Sequence, residues 1–596
     1  MTASDFFQTQ LNEHKLLNLR FHRLASRIAS IRVAVFIIGL VAAIYFINQR
    51  ELAYALICLF GFMVIFILLI KKHNTIKFKR DQHKYLVQIN KEELQRLAGN
   101  FDGIEGGDEF AIKDHAYAED LDILGDHSIY QVLNRTSTYP GKKLLAERLL
   151  QIKTVPSLAQ YQNSVSELAQ TPVFIQSYQA LGKHVLASND DFARFETWLA
   201  KSNKLVAVNQ LSMWSYLLPG IFIIGLVLAT TFSITYYSLL PIIIVHLILL
   251  SRYHKYAQEV VEHTEDSLKM LKSFVYHIEL IEKQAYSSKH LVNLVNSFNR
   301  NNHEAKTEIK IITRLLEHLQ ARNNIFHVLI NIPLLLDIHW LLRIENWQKT
   351  NRENIKTWFD SLAEFEVLNS LAGQAFAHSD WTFPLINAFP YLFSANDIGH
   401  PLIPKDKRVV NEFSMEGKGE VILLTGPNMA GKSTFLRTIG VNIILAQMGG
   451  AVCASNLEFN PDVELFTAMR IKDDLSESIS SFYAELSRIK QLLKAVEQHK
   501  PVLFFLDEIL KGTNSADRHK GAEALIKQLS ELGVSGFVST HDLELGALAK
   551  QLNQVQNYSF ESIIDHGKIN FDYKIRSGIC QSFNACELMR QMGIKV

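Results

Sequence analysis

Residues 421–437 read VILLTGPNMAGKSTFLR, and this stretch constrains the chain more than any other. Val421, Ile422, Leu423 and Leu424 follow one another without a polar alternation, the pattern of a strand buried on both faces of a parallel sheet. A glycine-containing turn ends the run, and from Lys432 the sequence can wind a helix. Between strand and helix, Gly426, Pro427, Asn428, Met429, Ala430, Gly431, Lys432 and Ser433 fit G-x-x-x-x-G-K-[ST] in full, with Thr434 next. Such a loop turns backbone N–H groups toward phosphates, Lys432 reaches the outer two, and the Ser433 hydroxyl binds Mg²⁺. The helix starting near Lys432 adds the positive end of its dipole.

At 596 residues the chain exceeds one core and should divide into two to four units. Its 61 Lys and Arg nearly cancel its 60 Asp and Glu, so there is no global basic field for nucleic acid and any such site must be local. The four cysteines are too scattered to indicate a zinc site or a disulfide framework. Charges stand where a cleavable signal would need its apolar stretch, so no such signal is expected.

Two further features are apolar. Residues 33–47 and 52–70 are separated only by Asn48, Gln49, Arg50 and Glu51, and they read as a membrane hairpin. Arg20, Arg23, Arg27 and Arg32 precede it and Lys71, Lys72, Lys77, Lys79 and Arg80 follow, which puts both ends on the cytoplasmic side. A second hairpin is expected over 214–230 and 236–250, with Trp214, Tyr236, Tyr237 and Tyr253 as interfacial aromatics. The alternative for each run is a buried core helix. Residues 325–342 are also apolar, but Asn331, Pro333, Asp337 and His339 interrupt them, and they read as a buried helical segment rather than a fifth span.

These features give an integral, multi-pass membrane protein with both termini and the nucleotide domain cytoplasmic. The expected map is an N-terminal region 1–100 with the first hairpin, a linker 101–127, a helical core 128–396 interrupted by the second hairpin, and a nucleotide-binding domain 397–596. The fold class is a C-terminal α/β P-loop ATPase domain of ABC type, preceded by an all-α core and lever region carrying two transmembrane hairpins.

In the α/β region, 421–424, 502–506 and 537–538 read as neighbouring buried strands. The second ends in Asp507 and Glu508, which suit a Mg²⁺-holding carboxylate and a general base that polarises the attacking water. The third is followed by His541, placed to hydrogen-bond a terminal phosphate.

These motifs resemble the MutS family. Residues 425–434, TGPNMAGKST, are similar to its ATPase loop, the Pro-Asn-Met filling being more specific than the generic pattern. Gln447, Met448 and Gly449 followed by Ala451, Val452, Cys453 and Ala454 resemble its glutamine-containing loop, with Cys453 where the family usually has proline. Arg470-Ile471, then Asp473-Asp474-Leu475, then Ser480-Ser481-Phe482 resemble its signature. Asp507-Glu508-Ile509 with Gly512, Thr513, Asn514, Ser515 and Asp517 resemble its Walker B and dimer-loop segment, and Thr540-His541-Asp542 with Glu544-Leu545 its switch. Arg135, Thr136, Thr138 and Gly141 are similar to the opening of its helical core.

The resemblance implies ATP and Mg²⁺ as ligands, with Gln447 also at the nucleotide and Ser480 meeting the γ-phosphate in trans. It implies a homodimer whose ATPase domains pair head to tail, Asn514 and Asp517 lying near the seam, and mismatched or irregular DNA as partner in repair. The family's N-terminal mismatch-recognition domain has no counterpart, since a membrane hairpin takes its place. An adenine-stacking aromatic before the loop is not evident; Val409, Val410 and Asn411 stand near its place, with Phe413 as substitute. Three outputs therefore compete: DNA surveillance at a membrane, an ATP-driven membrane switch or tether without DNA and with an unidentified protein partner, and transport. Against transport, the four runs hold no interior Asp, Glu, Lys or Arg and one His, His246.

Overall fold

The computed structural model describes residues 2–151, 153–155, 157–184, 189–201, 205, 209–232, 235–300, 303–470, 481–498, 501–565 and 568–581. Its first element is α1, Ala3–Asn48, closed at its start by a reciprocal cap between Thr2 and Asp5, and its second is α2, Leu52–Leu97. No proline interrupts either helix, so each runs for 46 residues, roughly 70 Å at 1.5 Å per residue. The chain reverses between them at Arg50, held in the left-handed region at φ 61°. A Cβ on Gly39 would lie 2.9 Å from Phe62, so glycine there lets the two helices close.

The apolar runs of the sequence are thus only the far half of a longer hairpin. In that half Phe36, Ile38, Leu56 and Phe60 are exposed, whereas in the near half Phe7, Leu11, Leu86 and Ile89 are buried. The near half docks on the rest of the protein through a charged network inside it. Glu93 pairs with Arg135 at 2.7 Å and Arg96 at 3.0 Å, and Arg96 also donates to the carbonyls of Gln131 and Asn134. Phe6 and Phe7 meet Phe376 edge-on at the end of the longest core helix.

That helix, α3, is Leu336–Ala377. It is the spine of the helical unit, and Trp358, Phe365 and Leu368 on it are fully buried. Near its end Glu366 accepts from the backbone and hydroxyls of Ser137 and Thr138, fixing the start of the helix Tyr139–Leu149. The second apolar hairpin comprises Asn209–Thr231 and Leu240–Thr264; the latter outruns its apolar stretch and buries Ala257, Val260 and Val261 in the core. Four described helices, those of the two hairpins, are long and apolar enough to cross a membrane. The segment expected to be buried at 325–342 is instead broken: Ile325–Leu334 meets α3 at a 79° bend, and Val328, Leu329 and Ile330 are exposed.

Residues 101–127 contain the expected turns, with Gly103 and Gly107 at positive φ, but they are no free linker. Tyr117, Leu121 and Ile123 are buried, and the segment is a strap laid on the α/β unit.

The α/β unit has a six-stranded sheet in the order Lys568–Ser577, Val555–Asp565, Val421–Thr425, Ser535–Thr540, Val502–Asp507, Glu464–Ala468. All neighbours are parallel except the pair formed by the last two strands of the chain. A four-stranded sheet beside it joins Leu385–Ile386, Asn456–Phe459, Phe393–Ile398 and Asn411–Met415. Its strand Phe393–Ile398 straddles residue 397, so the unit begins upstream of the expected boundary. Sequence periodicity finds the three fully apolar central strands and misses Glu464–Ala468 and the final hairpin, whose polar residues lie at the sheet's margins.

Burial alone would raise the Glu93 pKa, but Arg135 and Arg96 overcome this and hold it below the ordinary glutamate value. Its stabilising contribution is therefore complete above that ordinary value, about 4.3, and is lost as pH falls through the lower folded one. Glu93→Ala strands two buried guanidinium groups and should cost about 3–5 kcal/mol. Thermal unfolding of the full chain in detergent reads this; a wild-type melting temperature would contradict the network's role.

Candidate nucleotide-binding site

The sheet register places the site. Thr425 is level with Thr540 and Asp507 with Ser539, so three loops leave the carboxyl edge of the sheet side by side. In parallel α/β sheets this edge is where ligands are received. The loops carry 426–431, Glu508 and His541, all expected site residues.

The phosphate loop needs its glycines. Gly426 has φ 149°, and a Cβ there would come 2.5 Å from the Phe560 carbonyl oxygen. Gly431, at φ 107°, is the N-cap of the helix Lys432–Gln447. Met429 is left-handed and 82% exposed, whereas Ala430 is buried. Lys432 is buried, and its ammonium donates to the carbonyls of Gly426 at 2.8 Å and Pro427 at 3.1 Å. Burial lowers its pKa, opposed by the charges of Glu508 and Asp507. Ser433 and Thr434 occupy the first turn of the helix, the former half-buried and the latter exposed.

Asp507 ends its strand with Oδ1 buried and without a hydrogen-bond partner among the described residues. A buried carboxylate oxygen lacking a donor suits a hard cation, so Asp507 and Ser433 fit the chemistry of Mg²⁺. Glu508 follows in the left-handed region at φ 52°. Its carboxylate meets His541 Nε2 at 2.7 Å and Lys511 Nζ at 2.5 Å. The hydrogen bond from His541, reinforced by Lys511, outweighs burial and draws its pKa down to about 2.

Two expected residues are not brought to this site. Gln447 is the last residue of the helix that Lys432 begins, so about 22 Å of helix rise separates them. Its amide donates to the carbonyls of Pro461 and Val463, and its oxygen accepts from Gln151 of the helical unit. Gln447 thus joins the two units instead of lining the nucleotide loop. Phe413 is buried among Phe435, Phe537 and Tyr558, with no face left for a base.

The structure supplies another aromatic. Tyr573 is 45% exposed, and its ring lies 3.1 Å from where a Cβ on Gly431 would sit. The Asn411 side chain clips this turn, donating to the Tyr573 carbonyl at 3.1 Å and accepting from Ile575 N at 2.9 Å. Asn411 thereby fixes the backbone that carries the Tyr573 ring. Only the final hairpin folding back over the loop reveals the pair; the one sequence signal is an Asp-Tyr-Lys turn inside a strand.

Ser480, Ile471, Asp473, Asp474 and Leu475 of the signature lie outside the described residues. The signature's start is tied to the strap: Asp120 accepts from Thr467 Oγ1 at 2.6 Å, Met469 N at 3.0 Å and Arg470 N at 2.8 Å, and Asp122 pairs with Arg470 at 2.6 Å. Beyond it, Arg488 donates to the strap carbonyls of His115 and Ala116. Asn514 caps the helix Ser515–Glu531 by accepting from Asp517 N at 2.9 Å, leaving both residues on the surface.

Comparison with known proteins agrees with this geometry. The family model of MutS domain V matches residues 422–594. The DNA mismatch repair protein MutS of Thermotoga petrophila is 30% identical over 250 residues, 41% of this chain and 31% of that protein. MutS of Halalkalibacterium halodurans is 34% identical over 184 residues, 30% and 21% of the two chains. DNA mismatch repair protein MutS 2 of Halobacterium salinarum is 29% identical over 237 residues, 39% and 27%. The chain thus spans less than a third of the length of these relatives. With the loop, the two carboxylates and the histidine gathered at one sheet edge inside the matched region, the C-terminal part of this chain, residues 422–594, belongs with MutS domain V.

Proposed function

We propose that this chain is a membrane-anchored, MutS-type ATPase that works as a homodimer. One observation carries the reading: Lys432, the Asp507 oxygen that has no partner among the described residues and the Glu508–His541 pair meet at the carboxyl edge of one sheet. The loop from Gly426 to Thr434 binds the phosphates, and Tyr573 offers a face to the base. Ser433 and Asp507 would hold Mg²⁺, which would neutralise charge on the phosphates when bound. Lys432 exchanges its loop carbonyls for phosphate oxygens.

Glu508 orients the attacking water. A carboxylate held near pKa 2 by His541 first and Lys511 second is a weak proton acceptor, so release from Lys511 strengthens it as a base only in part while His541 remains bound. His541 stays hydrogen-bonded to it and reports the terminal phosphate. Ser480 of a second copy completes the site, which makes the dimer the active form. The two apolar hairpins anchor the chain, with both termini and the α/β unit on the cytoplasmic side.

The relatives' names carry DNA mismatch repair to this chain as the first output, with irregular DNA as partner. A specific observation favours the second, a membrane switch or tether. On the helix Ala305–Gln320, whose cations Lys306, Lys310 and Arg314 could touch phosphates, Lys306 is paired with Glu282 and Glu304 and Lys310 with Glu279, while Arg314 is exposed. Titration of the full chain with mismatched and matched duplexes across a salt series separates the two. ATP-dependent, salt-sensitive preference for the mismatch supports repair, and no binding at low salt supports the switch.

Lys432→Ala should remove measurable ATP binding in a fluorescent-nucleotide titration, and an unchanged Kd would overturn the loop assignment. Glu508→Gln should keep ATP and lose roughly 10²–10⁴-fold in turnover; wild-type turnover would remove Glu508 from the mechanism. Tyr573→Ala should weaken ATP binding by about tenfold or more, from roughly 1–3 kcal/mol of stacking. Phe413→Ala should instead lower the melting temperature, because it opens a core cavity. The reverse pattern would return the base-stacking role to Phe413.

A further inference from the structure

The break between Ile325–Leu334 and α3 has no role in the nucleotide site, yet it is built with care. Leu335 is left-handed at φ 52°, Pro333 precedes it, and the two helices meet at 79°. In an unbroken helix the carbonyl of Ile332 would accept from the N–H of residue 336. Here His246, fully buried on the second hairpin, supplies the bond through Nδ1 at 2.9 Å. On the other side of the break, Asn331 Oδ1 accepts from Asp337 N at 2.9 Å, satisfying a free donor at the start of α3.

The open end of the short helix is held by charge. His327 Nε2 meets Asp337 at 3.0 Å, Arg322 lies 3.7 Å from the same carboxylate, and Arg322 reaches His254 Nδ1 at 2.8 Å. Polar bonds therefore fasten both ends of the segment, while its middle turns Val328, Leu329 and Ile330 outward, 45%, 64% and 51% exposed. The neighbouring hairpin helix, to which His246 ties it, exposes Ile244, Val245, Leu247 and Ile248. Just past the bend, Trp340 stacks on His318 and lies under Arg343 at 5.6 Å, an aromatic-cation pair suited to a headgroup layer.

We propose that residues 325–334 are a re-entrant half-span, inserted into the cytoplasmic leaflet beside the second hairpin and facing acyl chains. This rests on the membrane reading of the hairpins. Ten residues of helix rise about 15 Å, half of a hydrocarbon core of about 30 Å, so the segment enters and cannot cross. Two of the backbone groups opened by the turn at depth, the Ile332 carbonyl and the Asp337 N–H, are satisfied by His246 and Asn331, as irregular backbone in a bilayer requires. α3 then runs directly from the leaflet toward the α/β unit.

The test is site-directed spin labelling of the full chain in lipid nanodiscs, with the native cysteines replaced and one label at a time on Leu329→Cys, Ile248→Cys or Leu385→Cys. These side chains are exposed, so labelling leaves the packing intact. The half-span predicts that labels at 329 and 248 collide with oxygen and are shielded from a water-soluble nickel chelate, while the label at 385 shows the opposite. If 248 is lipid-exposed but 329 meets the nickel chelate, the half-span fails and the anchoring reading stands. If 329 is shielded from both reagents, a protein surface covers the segment and the half-span again fails. If 248 also meets the chelate, the anchoring reading itself falls and the half-span with it.

Discussion

The register of three parallel strands is the constraint on which the rest depends. Because Thr425 and Thr540 are level and Asp507 lies beside Ser539, one residue back, groups far apart in the chain converge without any loop having to reach. The hydrophobic cost of exposing Val421–Thr425, Val502–Asp507 or Ser535–Thr540, all buried on both faces, fixes that register. Polar chemistry gathers at the edge, where Glu508 and Leu510 adopt left-handed backbone and Asp507 keeps an oxygen without a donor among the described residues. Such departures from local preference are what a built site looks like.

From this edge two physical connections lead toward the apolar hairpins. One is the strap: Asp120 and Asp122 grip the strand end and Arg470, where the signature starts, and the same strap continues back to α2. The other is α3, whose far end packs on Phe6 and Phe7 and whose Ser370 hydroxyl accepts from Arg135 N. Arg135 in turn pairs with Glu93 of α2. Gln447, absent from the nucleotide loop, bonds Gln151 at the junction of the two units. A change at the signature would thus be felt by a stalk fastened through buried charge.

Much of the site was legible because phosphate chemistry demands a contiguous loop: glycine at 426 and 431, lysine at 432 and serine at 433 can be read from the letters alone. The central strands were legible because complete burial writes an unbroken apolar run. Three things were not. Tyr573 reaches the loop only through a hairpin that closes late in the chain, so no local pattern marks it. Phe413 seemed available because sequence proximity to the loop says nothing about which face of a strand is buried. The strap 101–127 looked like a linker because its glycine and acidic residues suit loops generally, whereas its carboxylates take up backbone donors of the α/β unit. The hairpin length was also underestimated, since apolar runs mark where a helix is lipid-like and not where it stops.

The central claim is that one chain carries an ATP site completed by a second copy and held at a membrane. The most direct measurement is ATP turnover by the full-length protein in lipid nanodiscs loaded with one copy or with two, the oligomeric state verified in each. Hydrolysis confined to the two-copy discs is the result this account predicts. Equal turnover per chain in single-copy discs would contradict it, because the site would then be complete within one chain.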